Sequence, residues 1–201
     1  IGPADNLGDG KWRCDPEDPR YLKYFGGMIR AFGARYDGHP DLECVDISVI
    51  GFWGEGSGSH LLKQQTWRDL INCYLDSFKK THLIYQPLNG DAPDPGALLR
   101  GLPIAASWLD GRNNGEGPQM RHLGWRMDCL GDMGFWRKEQ GDWCHMLDVY
   151  PQDIQRSGML DAWKKAPVTM EICGTFKTWL KTQKYDEKIV KYVFDQALKW
   201  H

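Results

Sequence analysis

Cys44-Val45-Asp46-Ile47-Ser48-Val49-Ile50 runs straight into Gly51-Phe52-Trp53-Gly54-Glu55-Gly56-Ser57-Gly58, and the reading of the fold turns on this stretch. The first seven residues are rich in β-branched side chains and bounded by turn formers, which predicts a short strand. The glycines end it and leave Glu55 at its carboxyl end. A helix is expected next, from about His60 to Lys80. There Trp67, Leu70, Ile71, Tyr74, Leu75 and Phe78 repeat at the spacing of one helix face.

The same grammar extends both ways. Pro19 opens a helix whose apolar positions are Leu22, Phe25, Ile29 and Phe32, and Asp37-Gly38-His39-Pro40 stops it. Downstream, strands are expected at Leu83-Ile84-Tyr85-Gln86-Pro87, at Gly124 to Leu130 and at Val168-Thr169-Met170-Glu171-Ile172. Helices are expected at 95–102, 152–165, 176–181 and 187–200, and Ile104 to Trp108 is a further, weaker strand. Strand and helix alternate with a repeat of about 40 residues, which argues for parallel strands joined by helical crossovers. A doubly wound sheet gives the same alternation. No G-x-G-x-x-G or Walker loop follows any strand, so a nucleotide-binding version lacks support.

At 201 residues the chain suits one domain with one sizeable core. With 25 basic and 27 acidic residues it has a net charge of −2 and no basic stripe, which argues against nucleic acid as a partner. No apolar run approaches the roughly 20 residues that cross a bilayer, so no membrane is expected. Six cysteines form no Cys-x-x-Cys pair, and Cys44, Cys129 and Cys173 read as small buried hydrophobes. No His-rich or HExxH motif calls for a metal, and no cofactor is expected. Ten tryptophans are a heavy load. Some serve the core, while Trp12, Trp108 and Trp143 lie in Gly-rich segments suited to stacking on sugar rings.

In a parallel barrel the chemistry sits at the carboxyl ends of the strands. That rule selects Glu55 and Glu171, each at a strand end among apolar residues, where a carboxylate is costly without a partner or a task. Two carboxyls facing each other across a cleft suit glycoside hydrolysis. They would lie about 5–5.5 Å apart in a retaining enzyme and about 6.5–9.5 Å apart in an inverting one. Around them, Trp53 is a packing or stacking residue and Gln86 a donor to a substrate oxygen. Asp128 or Asp132 could hold a sugar hydroxyl, with a cap or an ion pair as the simpler account. Arg126 reads as the partner of a buried carboxylate, and His60 as a cap on the helix that follows.

Gly51-Phe52-Trp53-Gly54-Glu55 and, three strands on, Met170-Glu171 resemble the clan A glycoside hydrolases, (β/α)8 TIM barrels. The stretch Ala34-Arg35-Tyr36-Asp37-Gly38, with Val45-Asp46-Ile47 and the glutamate loop, is similar to β-galactosidase-like barrels of bacterial polysaccharide degraders. The resemblance implies an α/β chain covering strands four to seven of the barrel, all 201 residues being a partial catalytic domain. The remaining strands would come from the same protein or another chain. It implies a retaining glycosidase with Glu55 as acid/base, its pKa raised, and Glu171 as nucleophile, held ionised by donors. Trp53, Gln86, Trp108, Asp128 and Asp132 would contact a poly- or oligosaccharide, and a periplasmic or secreted location is favoured. Most clan members have Asn before the acid/base, and here Gly54 stands there. The alternative is a non-catalytic carbohydrate-binding barrel that keeps the cleft.

Overall fold

A computed structural model describes residues 14–48, 62–85, 124–134, 144–157, 159–164, 166–172 and 174–200. They form an α/β fold around one four-stranded parallel sheet. The strands are β1 (Cys44–Asp46), β2 (His82–Tyr85), β3 (Gly124–Leu130) and β4 (Val168–Ile172), and they lie side by side in chain order. The helices are α1 (Pro19–Tyr36), α2 (Gln64–Ser77), α3 (Tyr150–Ser157) and α4 (Glu187–Trp200). A wide π-type turn at His145–Val149 leads into α3, a 3-10 turn at Met159–Lys164 follows it, and a second π-type turn at Thr178–Thr182 precedes α4.

The register decides which residues share a face. Val45 pairs with Leu83, Tyr85 with Trp125, and Trp125 and Met127 with Val168 and Met170. Partners in a parallel ladder point the same way, and alternate residues point oppositely. Val45, Leu83, Trp125, Met127, Val168 and Met170 therefore share one face, and that face carries the core. Near β1 and β2 it is covered by Ile29, Leu70, Ile71, Tyr74, Leu75 and Phe78 of the α1–α2 pair. Near β3 and β4 it is covered by Tyr150, Ile154, Trp179, Val193 and Trp200. The other face carries Asp46, Ile84, Arg126, Asp128, Thr169 and Glu171.

Local chemistry explains the elements. Asp18 caps α1 by accepting from the Arg20 backbone N–H at 2.8 Å, and Pro19 takes the first turn, where its missing N–H costs nothing. α1 lies close against α2 because Gly33 has no side chain. A Cβ there would come within 2.5 Å of the Ser77 backbone. The amino end of α2 is Lys63, with no side-chain cap, whereas the expected cap His60 lies outside the described residues. Among the described residues Cys73 and Cys144 are the buried thiols, and Cys173 lies outside them. Cys44 and Cys129 are only half-buried, because they stand on the face away from the core or at a kink.

That kink is a bulge in β3. The ladder to β4 runs regularly to Met127–Met170 and resumes at Leu130–Ile172. Between them Cys129 adopts a left-handed backbone with φ 54°, uncommon for a side chain with a Cβ. The extra residue reverses the alternation. Before the bulge the odd-numbered residues face the core. After it Leu130 does, and the next even-numbered residue, Asp132, is fully buried.

Asp37 ties α1 to the turn before β2. Its carboxylate accepts from the backbone N–H groups of Lys79, Lys80 and Thr81, each at 2.9 Å. Burial works against its charge, but these donors outweigh burial and hold its pKa below the usual carboxylate range. A depressed acid stabilises the fold above its unfolded pKa, and that contribution is lost as pH falls through the folded value. Asp37→Ala is expected to cost roughly 1–3 kcal/mol at pH 7, the penalty for orphaned backbone donors. In urea unfolding the gap from wild type should narrow as pH drops below about 4. A gap that stays constant down to strong acid would show that the charge is not what matters.

Candidate functional site

The face away from the helices holds a charged cluster at the carboxyl end of the sheet. Arg126, in the middle of β3, is its centre. Its Nη1 donates to Asp46 Oδ2 of β1 at 3.2 Å, reaching across β2. Its Nη2 donates to Asp128 Oδ1 on its own strand and to Glu171 Oε2 of β4 at 3.3 Å. Three carboxyl groups from three strands thus meet one guanidinium. Alternation brings Arg126 and Asp128 to the same side of β3, and the regular ladder up to Met127 sets Asp128 beside Glu171.

One cation cannot keep three neighbouring acids fully ionised at ordinary cost. Asp46 is pushed up to about 6, mainly by burial and further by the charge of Asp128, with Arg126 pulling the other way. Its Oδ1 is buried and, among the described residues, has no hydrogen-bond partner. Glu171 is also raised. The first cause is its hydrogen bond with the Asp128 carboxyl, then burial and the Asp128 charge, while Arg126 again opposes. Glu171 keeps two-thirds of its side chain in solvent, at 67% exposure. A donor of the kind expected to hold it ionised, Arg126, is in place, but among the described residues the Asp128 carboxyl outweighs it and moves Glu171 upward. Raised acids gathered on one surface are typical of sites that move protons.

Asp132 has a different role. It is fully buried on the core side, with Oδ2 2.6 Å from His145 Nδ1, and the Gly134 N–H donates to its Oδ1 at 3.0 Å. Burial opposes its charge, but His145 and the backbone donors prevail and lower its pKa. Its backbone oxygen accepts from the Met146 N–H at 3.1 Å and the Cys144 thiol at 3.2 Å. Asp132 was expected to hold a sugar hydroxyl or, more simply, to serve as a cap or ion pair; it has no exposed surface, pairs with His145 and anchors the turn into α3.

Of the expected site residues, Asp128 and Glu171 are brought together. Glu55, Trp53, Gln86 and Trp108 lie outside the described residues, as do Trp12 and Trp143. Arg126 is the partner of a buried carboxylate, as its position in an apolar strand suggested. Asp46 was not singled out from the sequence. The signal was a charge between Val45 and Ile47, in a run that is otherwise β-branched. Attention to strand ends passed over it, because it acts from within the strand.

Among the described residues no group of three or more His, Cys, Asp or Glu is arranged to hold a metal ion, and no helix is long and apolar enough to cross a membrane. Set against protein families, curated proteins and solved structures, the chain matches none.

The raised Asp46 makes stability depend on pH. The native state keeps this proton up to about pH 6, and the unfolded chain only up to about 3.9. Between these values the native state binds more protons, so stability falls as pH rises through the window, by about 3 kcal/mol for this one group. Asp46→Asn removes the charge that burial penalises. It should flatten this part of the profile and leave the protein as stable as wild type, or more so, at pH 8. Urea midpoints at pH 4 and pH 8 test this, and an unchanged difference between them would refute the role given to burial.

Proposed function

We propose that the chain is part of a (β/α)8-barrel glycoside hydrolase, covering about strands four to seven, and that it cleaves a poly- or oligosaccharide with retention through Glu55 and Glu171. The observation that carries this reading is the placement of Glu171. It stands at the carboxyl end of the outer strand β4, open to solvent, on the sheet face opposite the described helices, where Arg126 gathers the acids. A doubly wound sheet reverses its strand order at a switch point and packs helices on both faces. Here strand order follows chain order, and the described core lies on one face, as in one side of a barrel.

In this mechanism a Glu171 oxygen forms a bond to the anomeric carbon while the glycosidic C–O bond breaks. Glu55 gives its proton to the leaving oxygen and then takes one from the water that hydrolyses the glycosyl-enzyme. Arg126 keeps the Glu171 carboxylate within reach and disfavours its rotation away from the sugar. Asp128 touches the same guanidinium and is close enough to meet a substrate hydroxyl. The saccharide is the one partner this chemistry needs, besides the polypeptide that completes the barrel.

Glu171→Gln should abolish turnover of every glycoside the protein cleaves. Glu55→Ala should lose about 10²–10⁴-fold on substrates that need protonation, and far less on aryl glycosides with good leaving groups. Added azide should then restore turnover and yield a glycosyl azide of retained configuration. Wild-type rates in both variants would defeat the assignment. Binding of oligosaccharides with no cleavage by the native protein would favour a carbohydrate-binding barrel instead.

A further inference from the structure

Asp128 and Glu171 sit on neighbouring strands with one oxygen each on the same nitrogen, Arg126 Nη2. Two carboxyl oxygens that share one small donor are forced close together, and two carboxylates at that range repel unless a proton lies between them. Among the described residues, Arg126 is the one cation with an ion pair to either acid. Nη1 of Arg126 is committed to Asp46 of β1. On this face, among the described residues, β1 also carries Cys44, β2 contributes the exposed His82 at its amino end and the apolar Ile84 level with Asp46, and β4 adds the neutral Thr169. Among the described residues, three acids meet one guanidinium in this cluster.

We propose that Asp128 and Glu171 form one carboxyl pair that holds a single proton on the Arg126 clamp, and that Glu171 becomes nucleophilic only when the pair releases that proton. The second half rests on the glycosidase reading above, and the first does not. Asp128 is then a positioning residue that sets the charge of Glu171. The raised titration of Glu171, caused first by Asp128, agrees with the geometry. The step balances simply. The proton passes to water, which the exposed Glu171 side chain reaches, and leaves both carboxyl groups as carboxylates facing the Arg126 cation. No redox partner takes part. Below the release pH the pair is singly charged and Glu171 cannot attack, so the site is shut off by acid.

The test is a carboxyl ¹³C NMR titration of the labelled protein, with Glu171→Gln and Asp128→Asn used to assign the two signals. In wild type both signals should move in both titration steps, as expected for groups that share a proton. In Asp128→Asn the Glu171 midpoint should fall by about one unit or more. The acid limb of kcat/KM should shift to lower pH by the same amount, which a merely structural defect would not produce. Independent single-step titrations in wild type would overturn the pair without need of any variant. An unmoved Glu171 midpoint in folded Asp128→Asn would also overturn it. Paired titration in a protein that turns over no glycoside upholds the pair and removes the glycosidase reading, so the two failures are distinguishable.

Discussion

One guanidinium holds the free face of this sheet together. Parallel sheets are usually covered on both faces, and their strands then read as continuous apolar runs. Here β3 and β4 alternate instead, with Trp125, Met127, Val168 and Met170 on the covered side and Arg126, Asp128, Thr169 and Glu171 on the other. Arg126 reaches Asp46 across an intervening strand only while Asp46, Ile84 and Gly124 stay level with one another. A slip of one residue in either ladder would turn Asp46 toward the α1–α2 core. Ion clusters of this kind add little to net stability, since desolvation offsets attraction. What Arg126 provides is register, because its fixed planar fork can satisfy three acids in one alignment only.

The covered face supplies the stability, in two blocks. One is built from α1, α2 and the first two strands, the other from α3, α4, the intervening turns and the last two strands. Trp179 shows how tightly the second block is shaped. It is fully buried, and it lies so close to Gly131 that a Cβ there would fall 2.0 Å from its ring. Gly131 also has φ 89°, a conformation glycine adopts without strain. The backbone leaving β3 is thus pressed against the helical layer at the point where the sheet's polar face ends.

Much of this was legible from side-chain periodicity. Gly124 to Leu130, Val168 to Ile172 and 187–200 come out at the bounds read from the sequence, because glycine, proline or a change of period marks each end. α1 begins at Pro19 for the same reason. Elsewhere the pattern ran past the element. Among the described residues the first strand pairs over Cys44–Asp46, Val49 and Ile50 lying outside them, and α2 is shorter than its apolar stripe, since Phe78 continues the stripe but lies beyond the helix as its cap. Of the site, Glu171 and the pairing of Arg126 with a carboxylate were visible in the sequence. The gathering of Asp46 with Asp128 and Glu171 was not, for it depends on ladder register between strands 80 or more residues apart in some cases, as in Arg126 with Asp46.

The two aspartates of β3 show where sequence reasoning needs the backbone. Asp128 and Asp132 are four residues apart, and strict alternation puts both on the same face. On that reading they are equivalent candidates for one polar mouth. The bulge at Cys129 breaks the equivalence by adding one residue between the two ladder contacts. Asp128, before it, stays with Arg126 on the free face. Asp132, after it, turns inward and is fully buried, a placement tolerable for a carboxylate only because His145 and backbone N–H groups meet its oxygens there. The same kink carries Leu130 into the core beside Ile172. A left-handed cysteine therefore does two jobs: it closes the core at the end of the strand, and it leaves Asp128 as the last acid of β3 facing Glu171.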